Sequence, residues 1–411
     1  MKIRTQIVSV ALLRVILNTM HRMVYPFLTV FARGLGVDVQ AISFALAARN
    51  LAGILGPAFG PVADVRGRKF VMLTGVLIFT VGVGIVAIHP GLVTFAVALI
   101  LAILSKSLFD PAVQAYFGDR VPYEQRGTAI AVIEMSWSLS FIAGVPAMGF
   151  LIAHFGWSAP FPALAFLGIL MFAIMAWIIP HDQPAAVQSH AGTGPAWSRL
   201  RTVFTSVPAL AGVSVALCAA IANESVNLVF GVWLADSFRL QIAALAGASA
   251  VIGAAELGGE SLAALITDRI GKARAVLLGL AVNTAATLLL PVVGRTETGA
   301  LIGLFLFYLS FEYMLVSQLP LMTEVIAEAR GTVMAVNIVS FGLGRSIGAV
   351  ISTFFYARWG FAAVTFAAAV FNALAMLALA EMEQKIHVAA RLLEWRKAVS
   401  ARATKKSQGP Q

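Results

Sequence analysis

About twelve stretches of some 20 or more mostly apolar residues follow one another along this chain, and that pattern leaves few folds open. They run near 5–32, 39–63, 70–88, 92–117, 128–153, 159–179, 207–234, 241–266, 275–293, 300–322, 332–356 and 361–380. Twenty residues of helix span about 30 Å, the thickness of a bilayer's hydrocarbon core. Of the 411 residues 60% are hydrophobic and only 12% charged, where a soluble domain has about 25% charged residues. A soluble globule is therefore excluded. A transmembrane barrel is excluded as well, because its strands alternate apolar and polar residues over about ten positions, and these runs are longer and do not alternate. The expectation is an all-α membrane protein with twelve transmembrane helices. Arg14 interrupts the first apolar stretch and no small-x-small cleavage pattern follows, so that stretch is expected to stay as the first helix.

Lys and Arg collect on cytoplasmic loops. Most of the 29 in this chain fall on one side, in loops holding Arg66, Arg68, Lys69, Arg120, Arg126, Arg269, Lys272, Arg274 and Arg330 and in the C-terminal tail. The opposite loops hold only Arg33, Arg239, Arg295 and Arg358. Both termini are thus expected in the cytoplasm of a multi-pass protein of the cytoplasmic (inner) membrane. The net charge of +10 reflects that topology and a basic tail, not binding to nucleic acid. Ile386, Ala389, Ala390 and Leu393 recur at helical spacing in the tail. A short amphipathic helix on the anionic inner leaflet and a solvated tail are both open readings. Cys218 is the only cysteine, so no internal disulfide forms, and it reads as a small apolar filler.

The chain repeats itself. "ADVRGRKF" at 63–70 has a looser copy, "TDRIGKAR", at 267–274. Asp64 and Asp268 set the offset, 268 − 64 = 204. The same offset carries "EQRGTAIAV" at 124–132 onto "EARGTVMAV" at 328–336, Gly144 onto Gly348, and Gly156 onto Gly360. This implies two pseudo-symmetric six-helix bundles, 1–180 and 206–381, a Pro/Gly/Ser-rich cytoplasmic linker at 181–205, and a basic tail at 382–411. Stripes of small residues occur at Ala48, Ala52, Gly56 and Gly60, at Ser136, Ser140 and Gly144, and at Ser340, Gly344, Gly348 and Ser352. Such stripes let helix backbones approach closely in lipid, and the expectation is that they form a sliding contact between the halves.

Ionisable residues inside the apolar runs are the candidates for function. They are Arg14, Arg22, Arg49, Lys106 and Arg345 with Asp110, Glu134, Glu224, Glu256, Glu260 and Glu312. Each costs roughly 2.5–3.5 kcal/mol if it faces lipid at mid-span. Together they amount to on the order of 30 kcal/mol, well above the ~5–15 kcal/mol net stability of a folded protein. They must therefore pair, line water or bind protons. The third, sixth, ninth and twelfth runs carry none before Glu381, which suits those helices to lipid. The first half is richer in basic residues and the second in acidic ones, so a cavity between them would have a cationic and an acidic wall. Lys106 and Asp110 are four apart, which favours a local ion pair beside Pro111. Glu256 and Glu260 share a helix face, where like charges repel.

The twelve spans, the matching halves and the charged hairpin together resemble the major facilitator superfamily. Its signature between helices two and three, Gly-x-x-x-Asp-x-x-Gly-Arg-Lys/Arg, is matched in full by Gly60, Asp64, Gly67, Arg68 and Lys69. The second copy keeps Asp268, Gly271 and Lys272, with Ala264 in place of the first glycine. The resemblance implies a cytoplasmic gate in which Asp64 meets the helix start at Arg330 and Asp268 meets the one at Arg126, a carboxylate being favoured at a helix N-terminus. It also implies alternating access about a central site lined by helices one, four, seven and ten. The expected substrate-binding residues are Asn18, His21, Arg22, Lys106, Asp110, Asn223, Glu224, Asn227, Glu312 and Tyr313. The expected proton carriers are among Asp110, Glu134, Glu224, Glu256, Glu260 and Glu312. A further signature of exporters, Gly-x-x-x-Gly-Pro, is matched in part by "SFIAGVPAMG", where Ser140 stands first and Pro146 comes one residue late. The expected function is proton-coupled efflux of a small organic or amphipathic compound. Proton-coupled uptake of a small polar nutrient and lipid flipping or scrambling are the alternatives. No enzyme activity, cofactor or metal is expected, and no nucleotide-binding G-x-x-x-x-G-K-[ST] loop occurs. The expected partners are the substrate, protons and the lipid bilayer, and the protein is expected to act as a monomer.

Overall fold

In hydrocarbon every backbone N–H and C=O must be satisfied within its own segment, so the apolar runs form helices. The computed structural model describes residues 3–56, 66–180, 196–326 and 329–407. Among them the chain forms α1 (Ile3–Arg22), α2 (Leu28–Leu35), α3 (Val39–Gly53), α4 (Arg68–Ile88), α5 (Leu92–Arg120), α6 (Tyr123–Glu134), α7 (Ser136–Leu139) and α8 (Val145–Phe155). It continues with α9 (Pro160–Ile178), α10 (Ala196–Thr205), α11 (Val207–Phe238), α12 (Ile242–Ile270), α13 (Lys272–Val293), α14 (Glu297–Val325), α15 (Arg330–Trp359) and α16 (Phe361–Ser407). Among the described residues eleven helices are long and apolar enough to cross a membrane, with Ala129–Phe155 taken as one, or twelve if α2 and α3, bent by 110°, count as one more. The protein is a multi-pass, all-helical membrane protein.

Three places depart from uniform helices. The first apolar run is broken between α1 and α2 over 23–27, where Pro26 has no N–H to donate. Gly36 then closes α2 in the left-handed region (φ 68°, ψ 30°), and Asp38 caps α3 by accepting from Ala41 N at 2.8 Å. The fifth run is a chain of α6, α7, a π-helical turn at Ser140–Gly144, and α8. Pro146 cannot donate to Ile142, and the turn just before it widens. Finally, the last ten residues of the linker form α10, whose Val203 packs with Ala209, Met322 and Val333 of the second bundle. The last span, read as Phe361–Lys385, runs on without a break into the tail helix.

The repeat is visible in the backbone. Gly67 and Gly271 precede α4 and α13 with matching positive φ (85° and 92°) and ψ (146° and 140°). Gly156 and Gly360 match likewise, at φ 92° and 75°. Arg68 and Lys272, the residues after the first pair, bind acids at the far end of the next hairpin: Arg68 pairs with Asp119, and Lys272 with Glu324. Lys69 donates to Ala176 O at 2.6 Å.

Among the described residues, the stripe glycines and Ser352 face their own bundle, and not the other one as expected of them. Gly344 and Gly348 seat α15 on α11 of the same bundle, where an added Cβ would run into Leu217 O at the first and lie 2.8 Å from Ile221 O at the second. Ser352 donates to Ser225 O at 2.5 Å. Gly144 faces Thr19 of α1, and Gly56 faces Ser107 of α5. Other residues bring the bundles together. Gly253 of α12 abuts Ser138 O and Phe141, and Gly231 of α11 abuts the main chain of Tyr25 and Pro26. Ser346 of α15 donates to Ala47 O of α3 at 3.2 Å. These residues serve packing inside each half, because a long helix buried almost all round, such as α11, needs its neighbour's backbone close.

Candidate functional site

A cavity of about 1040 Å³ lies between the bundles. Its lining reaches Gln114, Ala264 and Leu319, toward the ends of α5, α12 and α14 that lie on the side of the charged hairpins. At the other end it stops at Arg22, Tyr25, Asn227, Tyr308 and Arg345. The cavity is therefore open toward the hairpin end and closed at the opposite end. Helices α1, α5, α11 and α14 line it, as expected of the first, fourth, seventh and tenth spans. The fifth, eighth and eleventh spans line it too, through Glu134, Trp137, Phe141, Glu256, Glu260 and Arg345. Among the described residues α4, α9, α13 and α16 contribute none, in keeping with the absence of charge from their apolar runs.

The first-bundle wall is a closed charge cluster. Arg14 Nε donates to Asp110 Oδ1 at 2.8 Å and its Nη1 to Glu134 Oε2 at 3.0 Å. Lys106 Nζ lies 2.7 Å from Asp110 Oδ2 and 2.7 Å from Asn18 Oδ1. Asn18 in turn donates to Ser136 Oγ at 3.1 Å. Both oxygens of Asp110 are thus held by cations, and the four charges Arg14, Lys106, Asp110 and Glu134 sum to zero. A buried charge is tolerated when it is paired and hydrogen-bonded in this way.

The closed end is held by a second cluster centred on the Tyr25 hydroxyl. It donates to Glu224 Oε1 at 2.8 Å and accepts from Arg49 Nη2 at 2.6 Å and Arg345 Nη2 at 3.1 Å. One donor and two lone pairs are all in use. Tyr25 and Arg49 belong to the first bundle, Glu224 and Arg345 to the second. Arg345 Nε also donates to Glu224 Oε2 at 2.8 Å, and Asn227 Nδ2 to the same oxygen at 3.3 Å. Tyr308 OH donates to Asn227 Oδ1 at 2.7 Å. A second link across the bundles is Arg22 Nη2 to Glu256 Oε1 at 2.5 Å, and Ser138 Oγ donates to Glu260 Oε1 at 3.3 Å.

Glu260 and Glu312 remain. Among the described residues lining the cavity they are the charged groups without an ion-pair partner. Gly259 lets α14 come close to α12: a Cβ there would lie 2.9 Å from Glu312 Cβ. The acidic face of α12 and Glu312 therefore form one wall.

Of the expected binding residues, Arg22, Lys106, Asp110, Asn223, Asn227 and Glu312 line the cavity. Asn18 and Glu224 stand behind the lining. Asn223 and Asn227 are one turn apart and share the cavity face, which turns Glu224 toward α15. Two residues do not belong to the cavity. His21 is buried with its ring 5.8 Å from that of Trp137, and its carbonyl rather than its ring accepts from Arg49 at 3.0 Å. Tyr313 lies about 100° around the helix from Glu312 and packs with Ala263 and Ala275. Of the proton candidates, Asp110, Glu134, Glu256, Glu260 and Glu312 line the cavity and Glu224 does not. Gly60, Asp64 and the Arg126 side chain of the expected gate lie outside the described residues. Asp268 and Arg330 are exposed, while Arg68, Lys69 and Lys272 tie their own bundles as described above.

Sequence reasoning missed Tyr25, Trp137, Phe141 and Tyr308 as site residues. A Tyr-Pro pair inside an apolar run, at 25–26, was the available signal for the first. Arg14, Arg49 and Arg345 stood out as charges in lipid-length runs but were not assigned to the site.

Comparison with known proteins agrees with this architecture. The chain is 26% identical over 352 residues to the uncharacterized MFS-type transporter YwfA of Bacillus subtilis (strain 168), covering 82% of each chain. It is 26% identical over 294 residues to the sialic acid transporter NanX of Escherichia coli (strain K12), covering 70% of this chain and 71% of that one. Its fold matches a crystal structure of a bacterial homologue of the human lysosomal transporter Spinster, described as inward-facing and unoccupied. The TM-score is 0.71 at 13% identity, over 92% of this chain and 94% of that one. Residues 10–327 match the Major Facilitator Superfamily profile, and the chain belongs to that superfamily of membrane transporters.

Proposed function

We propose that the protein is a secondary transporter that exports amphipathic organic cations across the cytoplasmic membrane in exchange for protons, acting as a monomer with both termini in the cytoplasm. In that orientation the cavity faces the cytoplasm, where an exported compound enters. The observation that carries this reading is the pair Glu260 and Glu312, unpaired carboxylates in a cavity whose other described charged lining residues are each ion-paired, and which is edged with Trp137, Phe141, Tyr308, Phe311 and Phe341. Anionic carboxylates at membrane depth are costly. They are relieved either by a proton or by a substrate cation, and two ligands that share one relief exclude each other, which is the condition for exchange. The aromatic faces add attraction for cations and apolar area for the substrate's body.

Proteoliposomes with an imposed pH gradient test this. An acidic lumen is expected to drive ethidium accumulation by the unmodified protein. Glu312→Gln is expected to abolish accumulation while preserving counterflow of ethidium down its own gradient. Ethidium uptake indifferent to the pH gradient would sink the exchange mechanism. A second reading, proton-coupled uptake of a small polar solute, is favoured by the similarity to NanX. It requires the opposite sign, with substrate accumulating when the outside is acidic.

A further inference from the structure

Arg22 is the last residue of α1, directly before the non-helical stretch 23–27. Its guanidinium carbon lies 3.4 Å from the centre of the Phe141 ring and 4.3 Å from that of Trp137. Nη1 donates to Trp137 O at 3.0 Å, and Nη2 to Glu256 Oε1 at 2.5 Å. The π-helical turn beginning at Ser140 sits in the same stretch as Trp137 and Phe141, which are four apart and present their faces together. Two aromatic faces, a carbonyl and a carboxylate are what an amidinium, a guanidinium or a primary ammonium on an apolar body would need.

Two features distinguish this from a purely structural ion pair. Arg22, Trp137, Phe141 and Glu256 all line the open cavity. The buried polar atoms around them are also incompletely used: Glu256 Oε2 and Asn223 Nδ2 have no hydrogen-bond partner. Buried polar atoms are nearly always satisfied in a finished structural network. Both atoms are shielded from the cavity as it stands, so they become available to a ligand only when side chains of the wall move.

We infer that the Arg22 guanidinium is a tethered stand-in for the substrate's cationic group, and that an incoming cation displaces it from the site formed by Trp137, Phe141 and Glu256. The inference rests on the cation-transport reading and adds the subsite. Exchange of one cation for another leaves the charge beside Glu256 unchanged, so substrate entry needs no new buried counter-charge. The released guanidinium has Glu260 and Glu312 as partners within the same cavity. A ligand that must first displace a competitor binds with its affinity reduced by the fraction of time the site is free.

Calorimetric titration of the purified full-length protein with benzamidinium at pH 8 tests this. Arg22→Ala and Arg22→Met are each expected to bind it at least tenfold more tightly than the unmodified protein. Adding Glu256→Gln or Phe141→Ala to either is expected to remove the gain. Equal affinity in a folded Arg22 variant overturns the inference and leaves the cation-transport reading standing. Should neither variant fold, Phe141→Ala in the otherwise unmodified protein decides: a fivefold weaker affinity supports the subsite and an unchanged one overturns it. Tighter benzamidinium binding by the Arg22 variants, together with no ethidium transport by the unmodified protein, keeps the subsite and removes the transport reading.

Discussion

Replacing Tyr25 by Phe removes one oxygen atom and with it both hydrogen bonds by which that side chain joins the bundles, to Glu224 Oε1 and from Arg345 Nη2. The third bond, from Arg49, lies within the first bundle and favours neither state. Hydrogen bonds to charged groups contribute about 1.5–3 kcal/mol each. Glu224 keeps Arg345 and Asn227 on its other oxygen, so the lower figure applies to each bond, or about 3 kcal/mol in all. When this end opens, water satisfies the same groups. The loss therefore falls on the closed state alone, and Tyr25→Phe is expected to raise the population open at this end about 100-fold, at 1.4 kcal/mol per tenfold. Spin labels on Gln40→Cys and Ser237→Cys, exposed positions of different bundles at this end, in a Cys218→Ser background, report the distance by pulsed electron paramagnetic resonance. A second, longer distance is expected to gain weight in the Tyr25→Phe protein. Identical distance distributions would refute the assignment of Tyr25 as the hub of closure.

Gly231→Ala would place a Cβ 2.6 Å from Pro26 O and 2.7 Å from Tyr25 O, main-chain atoms of the other bundle that cannot rotate away, so the same label pair is expected to report opening; an unchanged distance would mean the helices shift instead. Asp110→Asn leaves Lys106 and Arg14 without their shared anion, and breaking a buried pair from one side costs about 3–5 kcal/mol. A fall in the thermal unfolding temperature is expected, and no change would show that the cluster adds no net stability. Arg68→Ala and Lys272→Ala each remove a tie to an acid that is more than half exposed (58% and 59%), so each is expected to cost at most about 1 kcal/mol. A large loss of folded protein in either would show that the hairpin ties hold the bundles.

The sequence by itself determined what can be read from length and periodicity. Twelve apolar runs of bilayer length, the offset from Asp64 to Asp268, and the charges that lipid would not tolerate specified the membrane fold, its two halves and the existence of a polar seam. Each of these properties is local or repeats at a constant interval, so no knowledge of contacts is needed. Lys106 and Asp110 were legible as a pair because four residues of helix bring them together. Only the tertiary structure decided which carboxylates stay unpaired. Asp110 finds Arg14 at a separation of 96 residues and Arg22 finds Glu256 at 234, and such partners depend on how each helix is rotated and on where α1 breaks. The same rotations turn Glu224 and Tyr313 away from the cavity and leave Glu260 and Glu312 facing it. They also seat the small-residue stripes inside the bundles. Side-chain identity sets what a residue can bind, but in a bundle of helices the azimuth of each helix sets which partner it meets, and that angle is fixed only when all the helices pack together.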